Sequence, residues 1–281
     1  MGPLAEGWIL GANKIAGVSG TEVRRIILEQ SKRANVGHIG SALSIADIVV
    51  ALYRGVFDVV RPSDPDRDRF ILSKGHAALA LYAALHLKGL ISEAELNGYN
   101  TDGSLLGVHP DAAQPAIDFS TGSLGMGLSF GAGAALAARL QGSKRRVAVL
   151  MSDAECNEGA VWEATAFAAH HKLANLIAVV DANGQQALGH TAQVLDFSPL
   201  EARFAAFGWD VHEVNGHDVD GMLRVLGSLN TESGRPHMLV AHTTFGKGVS
   251  FMEHQIKWHY WPMNDQEYAQ ALREVGVGVG R

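Results

Sequence analysis

The sequence has a single cysteine among 281 residues, Cys156. One cysteine excludes an internal disulfide and is typical of a reducing compartment, so we expect a cytoplasmic protein. No apolar run reaches the roughly 18 residues of a membrane span. Residues 1–20 lack the basic segment and apolar core of a signal peptide. These absences argue against a membrane-spanning protein and against a secreted protein stabilised by disulfides.

Positive charge is also scarce, since 23 Lys and Arg stand against 29 Asp and Glu and give a net charge of −6. Without a basic run, nothing predicts a nucleic-acid partner. Hydrophobic residues make up 47% of the chain, which is enough for a sizeable core. We expect residues 1–20 to form an N-terminal arm and residues 21–281 to form one domain.

Helical and strand patterns alternate along the second half of the chain. Alternation of this kind predicts an α/β fold, with a parallel sheet covered by helices on both faces. The predicted strands are 69–72, 146–151, 176–181, 209–214 and 238–243. The predicted helices are 22–34, 41–57, 77–87, 126–140, 160–172, 199–207 and 219–226.

Polar side chains leave the ends of two neighbouring predicted strands. Asp153 follows one strand, and Asn183 follows the next. Because parallel strands end at the edge where α/β sheets bind ligands, we expect these side chains to lie side by side. Their oxygens suit a hard cation such as Mg²⁺ carrying a diphosphate. The alternative is structural, with Asp153 capping a helix and Asn183 forming a turn.

Histidine is frequent, with 13 in the chain. Five of them lie beside glycine, proline or tryptophan in predicted loops and turns: His38, His76, His109, His217 and His259. The ends of elements carry active sites in α/β sheets, and imidazole can handle protons near neutral pH. His217, in Asn215-Gly216-His217-Asp218, is interpreted first as part of a turn into a helix.

Residues 151–183 resemble the thiamine diphosphate signature, in which Gly-Asp-Gly is followed further along the chain by Asn. Ser152 and Ala154 stand here in place of the two glycines. The flanking Glu155-Cys156-Asn157-Glu158-Gly159 and Trp162-Glu163-Ala164 resemble transketolase, above all the N-terminal subunit of split transketolases. The resemblance extends over residues 22–263, and it implies a thiamine diphosphate-binding fold.

The resemblance also implies the members of a site. Mg²⁺, or Ca²⁺ or Mn²⁺ in its place, would be bound by Asp153, Asn183 and the backbone carbonyl of Gln185. Catalytic roles near the reactive carbon of the cofactor and the first sugar carbons are implied for His38, His76, His109 and His259. Cofactor contacts are implied for His76, Gly122, Ser123, Leu124, Ser152, Asp153, Ala154, Glu158, Asn183 and His259.

The implied reaction is the transfer of a two-carbon ketol unit from a ketose phosphate to an aldose phosphate. In this family the glutamate that activates the cofactor lies on a second domain, so we expect a separate C-terminal subunit to supply it. A homodimer of this chain within a heterotetramer is expected. Two alternatives remain open: the alpha subunit of a 2-oxo acid or acetoin dehydrogenase, and a non-catalytic scaffold. The histidines and Asp66-Arg67-Asp68-Arg69-Phe70 favour transketolase.

Overall fold

A computed structural model describes residues 18–57 and 63–276. Within these ranges the chain forms a parallel sheet of order β1-β2-β3-β7-β6 and a separate hairpin, β4-β5. The strands are β1 (Arg69–Leu72), β2 (Val147–Ser152), β3 (Leu176–Ala182), β4 (Gln185–Gln186), β5 (Gly189–His190), β6 (Asp210–Asn215) and β7 (His237–His242). The helices are α1 (Gly20–Ala34), α2 (Ile39–Ser44), α3 (Ala46–Ala51), α4 (Ala78–Leu87), α5 (Glu93–Asn97), α6 (Met126–Leu140), α7 (Gly159–His170), α8 (Thr191–Val194), α9 (Leu200–Ala206), α10 (Val219–Ser228) and α11 (Asp265–Glu274).

The central strands β2, β3 and β7 are apolar and buried on both faces. Such strands require a layer of helices on each side. Alternate side chains of β2 therefore enter different cores. Ala148 and Leu150 pack with α1, α3 and α4, whereas Val147 and Val149 pack with α6, α7 and α9. The predicted α/β fold, with a parallel sheet between two helical layers, is confirmed.

The register of the sheet places several strand ends at one edge. In the parallel pairing, Ser152 of β2 lies opposite Asp181 of β3. The last residue of β3, Ala182, lies opposite His242 of β7. The loops that follow β2, β3 and β7 therefore start side by side, as the positions of Asp153 and Asn183 predicted.

The helix predicted over residues 41–57 is interrupted. The structure has α2, then α3, then a π-helical turn at Leu52–Val56, with a break at Ile45 (φ −95°, ψ 4°). Beside the break, the Ser44 hydroxyl donates to the Asp181 carboxylate at 2.7 Å. This segment is buried on nearly all sides, so its contacts with the rest of the fold decide where it bends.

The first described residue already packs into the hydrophobic core. Val18 is buried, and α1 begins at Gly20, where Ser19 and Glu22 form a capping box. The helix predicted to begin at residue 22 therefore begins two positions earlier. Residues 1–17 of the predicted arm lie outside the described residues. No helix in the described ranges is long and apolar enough to cross a membrane.

The acidic and basic residues before β1 form structural ion pairs. Arg67 binds Asp118 at 2.7 Å, and both side chains are buried. Asp118 also accepts the backbone N–H of Phe70 at 2.9 Å. Asp68 binds Arg146 at 2.6 Å. This segment therefore attaches β1 to its neighbours and contributes no group to the site described below.

Candidate active site

A cavity of about 300 Å³ lies at the carboxyl edge of the sheet. It is lined by His38, Ser41, Lys74, His76, His109, Gly122, Leu124, Ser152, Ala154, Asn157, Glu158, Asn183, Gln185, Gln186, Ala187, Phe245, His259 and Tyr260. The cavity thus brings together most residues that the sequence indicated. Two of them lie apart, because Ser123 is exposed outside the lining and Asp153 lines an adjoining cavity of about 390 Å³.

Three histidines form a triangle on one wall. The ring centroids of His38 lie 5.3 Å from those of both His76 and His259, and the last two are 5.5 Å apart. His38 has a left-handed backbone (φ 60°), and its N–H donates to the carbonyl of His259 at 3.1 Å. Glycine is needed before it, since a Cβ at Gly37 would lie 2.2 Å from the carbonyl oxygen of Tyr260.

The environment of this triangle favours neutral imidazoles. Burial lowers the pKa of His38 and His76, and it lowers the pKa of His259 to about 4. The positive charge of Lys74 acts in the same direction on His76 and His259. His76 Nε2 lies 2.8 Å from the Ser41 hydroxyl. The buried Nδ1 atoms of His38 and His259 have no hydrogen-bond partner among the described residues.

His109 adds a fourth imidazole from a different loop. The Tyr82 hydroxyl donates to the backbone carbonyls of Gly107 and His109 at 2.9 and 3.0 Å, which fixes this loop. A Cβ at Gly122 would lie 3.1 Å from the His109 ring. The glycine-rich segment before α6 and the His109 loop therefore pack closely together beside the cavity.

The ends of β2 and β3 contribute a second part of the cavity wall. The two carboxylate oxygens of Asp153 accept backbone N–H groups at 2.8 and 2.7 Å, the second from Gly184. The Asn183 side-chain oxygen accepts the N–H of Gln185 at 2.9 Å. Burial, together with repulsion from Asp181, raises the pKa of Asp153 to about 7. A bound divalent cation would offset that repulsion, and carboxylate, amide and backbone oxygens are suitable ligands for it.

A buried carboxylate, Asp181, orients this wall. It is fully buried and accepts hydrogen bonds from four side chains: Ser44, Lys74, Asn183 and Thr243. Because the Asn183 nitrogen donates to Asp181 at 2.8 Å, the Asn183 oxygen is turned the other way. Asp181 therefore fixes the orientation of the Asn183 side chain in the turn after β3.

Loss of the Lys74 charge should destabilise the fold. Lys74 and Asp181 form an ion pair in which both side chains are fully buried. We expect Lys74→Met to lower the free energy of unfolding by about 3–5 kcal/mol, because Asp181 is left without its cation. Urea denaturation measures the free energy of unfolding of each variant. As a control, Arg25→Met breaks an exposed pair with Glu29 and should cost less than about 1 kcal/mol. Equal costs for the two variants would contradict the interpretation.

A second buried acid, Glu155, joins three segments near the cavity. It is fully buried, and burial raises its pKa. It accepts the Ser73 hydroxyl at 2.5 Å and the backbone N–H groups of Gly125 and Ser152 at 2.9 Å each. Glu158, by contrast, is exposed and lines the cavity. Of the two glutamates in this motif, Glu155 therefore has the structural role.

Several cavity residues were missed by the sequence analysis: Ser41, Lys74, Phe245 and Tyr260. A local signal existed for three of them, since Ser41 lies three residues after His38, Lys74 two before His76 and Tyr260 one after His259. Polar or aromatic neighbours of a candidate histidine could therefore have been included. Phe245 offered no such signal.

A family model described as the thiamine diphosphate binding domain of transketolase matches residues 18–279. The chain belongs to this family. It is 40% identical over 261 residues to one subunit of the apulose-4-phosphate transketolase of Phocaeicola vulgatus, with 91% of this chain and 92% of that protein covered. It is 37% identical over 256 residues to the 6-deoxy-6-sulfo-D-fructose transketolase subunit SqwG of a Clostridium species, with 90% and 93% covered.

Solved transketolases share the fold of this transketolase-family chain. The enzyme from Campylobacter jejuni has a TM-score of 0.85 at 29% identity, with 93% of this chain and 43% of that chain covered. The enzyme from Leishmania mexicana has a TM-score of 0.83 at 27% identity, with 94% and 41% covered. The chain thus spans about two fifths of these enzymes but nearly all of the two relatives named as transketolase subunits. The resemblance to the N-terminal subunit of split transketolases is confirmed.

Proposed function

We propose that this chain is the diphosphate- and metal-binding subunit of a two-chain transketolase. The complex would transfer a two-carbon ketol unit from a ketose phosphate to an aldose phosphate. One observation carries the proposal: a triangle of imidazoles, kept neutral by burial, lines the same cavity as Asn183 and Gln185 at the end of β3. The relatives named as transketolase subunits support it.

The residues of the site fit thiamine diphosphate with a divalent cation. Asp153, Asn183 and the Gln185 carbonyl would bind Mg²⁺, or Ca²⁺ or Mn²⁺, because these are hard oxygen ligands. Burial and repulsion from Asp181 raise the pKa of Asp153 despite the opposing effect of Lys74, so a cation bound here would stabilise the carboxylate. The remaining cofactor contacts would come from His76, Gly122, Ser123, Leu124, Ser152, Ala154, Glu158 and His259. Bound thiamine diphosphate supplies carbanion stabilisation, which side chains cannot provide.

The histidines would handle the sugar hydroxyls. A neutral imidazole can accept a proton from the donor alcohol as the carbon–carbon bond breaks, and another can hydrogen-bond the hydroxyl of the transferred unit. His38 and His259 both line the cavity and would make these contacts. Ser41 holds His76, and burial keeps the ring neutral. His109, which lines the same cavity from a different loop, would be a further contact to the substrate.

The dehydrogenase alternative is less consistent with the lining of the cavity. Recognition of a 2-oxo acid usually recruits fixed cationic donors for its carboxylate. Among the described residues that line the cavity, Lys74 is the one lysine or arginine, and it is paired with Asp181. The scaffold alternative rests on Ser152 and Ala154 alone. Both alternatives therefore have weaker support than ketol transfer.

A partner chain would complete the site. We propose that residues 21–281 form one cofactor-binding domain, and that a C-terminal subunit supplies the activating glutamate within a heterotetramer built on a homodimer of this chain. The names of two relatives specify sugars that carry a phosphate or a sulfo group. Because Lys74 is engaged, the cavity offers no spare lysine or arginine among its described residues for such an anion. The partner would also provide that contact.

Activity should depend on both chains. We expect the complex with the C-terminal subunit, thiamine diphosphate and Mg²⁺ to transfer a ketol unit from xylulose phosphate to an aldose phosphate. Each chain by itself should show no transfer, and the complex should release no carbon dioxide from pyruvate with an electron acceptor. Transfer by the lone chain at the rate of the complex would contradict the two-chain proposal. Activity only in the assay with pyruvate and an electron acceptor would assign the chain to the dehydrogenase alpha subunits.

A further inference from the structure

His217 makes two hydrogen bonds whose directions can be assigned. Its Nε2 lies 2.9 Å from the backbone N–H of Thr244, and its Nδ1 lies 2.8 Å from a carboxylate oxygen of Asp47. A backbone N–H can only donate, so Nε2 is the acceptor and carries no proton. The proton of the neutral ring is therefore on Nδ1, which donates to Asp47. The two partners fix both the tautomer and the orientation of the imidazole.

The carboxylate behind this histidine is itself held in place. Asp47 is 7% exposed and forms an ion pair with Arg24, which is 8% exposed. Burial alone would raise the pKa of Asp47, but the hydrogen bonds from His217 and Arg24 hold it below its usual value. The first residue of α1 leaves room for this pair, because a Cβ at Gly20 would overlap the Asp47 carboxylate.

Thr244 lies between two residues that reach the candidate active site. On one side, the Thr243 hydroxyl donates to Asp181. On the other side, the Phe245 ring is nearly parallel to His259, at 8° and 6.2 Å between centroids. Phe245 is 1% exposed and approaches α2 so closely that a Cβ at Gly40 would lie 2.2 Å from its ring. The Thr244 N–H is the point at which His217 holds this short segment.

We propose that His217 is a positioning residue for ketol transfer: by accepting the Thr244 N–H, it holds Phe245 against His259 and Thr243 against Asp181. The effect on turnover rests on the proposed function, whereas the effect on the 243–249 segment does not. His217 is not among the described residues that line the cavity. It acts through the backbone of Thr244, with Asp47 and Arg24 fixing its ring.

Two conservative variants separate the two hydrogen bonds. In His217→Asn, the amide nitrogen can still donate to Asp47 from the former position of Nδ1. The side chain is too short to place an acceptor at the former position of Nε2, so the Thr244 N–H loses its partner. In His217→Gln, the longer amide can place its oxygen near the former Nε2 and accept the Thr244 N–H. His170→Asn is the control, because His170 is exposed on α7. The side chain of His217 is 16% exposed, so amides at this position remain partly solvated.

Hydrogen exchange of the lone chain, followed by mass spectrometry, tests the contact. We expect His217→Asn to speed exchange in residues 243–249 and to leave β2 and β3 unchanged, with His217→Gln and the control close to wild type. In the complex, His217→Asn should lower kcat about tenfold or more, as loss of a group that orients a ligand commonly does, with a smaller change in KM. His217→Gln should recover most of this loss.

The outcomes separate this inference from the proposed function. Unchanged exchange in residues 243–249 of His217→Asn would overturn the contact. Faster exchange with wild-type kcat, or an equal loss in His217→Gln, would overturn the positioning role. If the wild-type complex lacks ketol transfer, the proposed function fails and the role in turnover fails with it, while the exchange data still decide whether His217 holds the segment.

Discussion

Replacing Asn183 with alanine should weaken the binding of thiamine diphosphate and Mg²⁺ by at least about 100-fold. Loss of a residue that only orients a metal ligand weakens metal binding by up to about 100-fold, and we expect loss of a direct ligand to cost at least as much. The Asn183 nitrogen is held by Asp181, so its oxygen is the atom that we propose as a ligand of the cation. The alanine variant loses this oxygen but keeps the hydrogen bond from the Gly184 backbone N–H to the Asp153 carboxylate. Calorimetric titration in the presence of the partner subunit measures the affinity, and Mn²⁺ in place of Mg²⁺ gives an independent spectroscopic measurement.

The matched control for this experiment is Asn97→Ala. Asn97 is the last residue of α5 and accepts a hydrogen bond from Gln30 outside the cavity. Its replacement should leave cofactor affinity unchanged. Both variants should unfold cooperatively, which shows that the fold is intact. If Asn183→Ala binds the cofactor as tightly as wild type does, the assignment of the cation site is wrong.

Removal of single imidazoles should reduce turnover. We expect His38→Ala and His109→Ala each to lower kcat at least about tenfold, since a positioned general acid or base typically contributes about 100- to 10,000-fold. His38 lies within the triangle, and burial keeps the ring neutral and able to accept a proton. His109 lines the same cavity. Cofactor affinity should change much less than kcat, because neither residue belongs to the proposed cation site.

The control is His170→Ala on the exposed surface of α7, which should retain wild-type kcat. The measurement is ketol transfer by the complex at saturating cofactor, together with a calorimetric titration of each variant. A wild-type kcat in both His38→Ala and His109→Ala would refute their catalytic role. A loss of cofactor affinity as large as the loss of kcat would instead make them cofactor-binding residues.

Much of the fold could be predicted from local patterns. The β1 and α6 bounds equal the predicted ranges 69–72 and 126–140. Apolar strands and helices rich in alanine and leucine have strong local signals. The break within residues 41–57 could not be predicted. A helix that is apolar on nearly all sides gives no indication of where contacts with other elements will bend it.

The candidate site could be predicted only where its residues lie in a recognisable local pattern. Glycine, proline or tryptophan neighbours indicated His38, His76, His109 and His259, and strand ends indicated Asp153 and Asn183. Lys74 could not be connected to its partner, because 107 positions separate it from Asp181. His217 was interpreted as a turn residue, and only the fold shows that it contacts Asp47, which is 170 positions away. Pairings of this kind depend on topology and leave no local pattern.

The donors that surround Asp181 have a consequence for the synthesis of this chain. Ser44 and Lys74 precede Asp181 by 137 and 107 positions, whereas Thr243 follows it by 62. An emerging chain therefore cannot complete the donors around Asp181 until Thr243 has been made. Since a ligand that binds only the native state stabilises it by mass action, cofactor would draw chains that contain Thr243 toward the folded state and leave shorter products without that benefit.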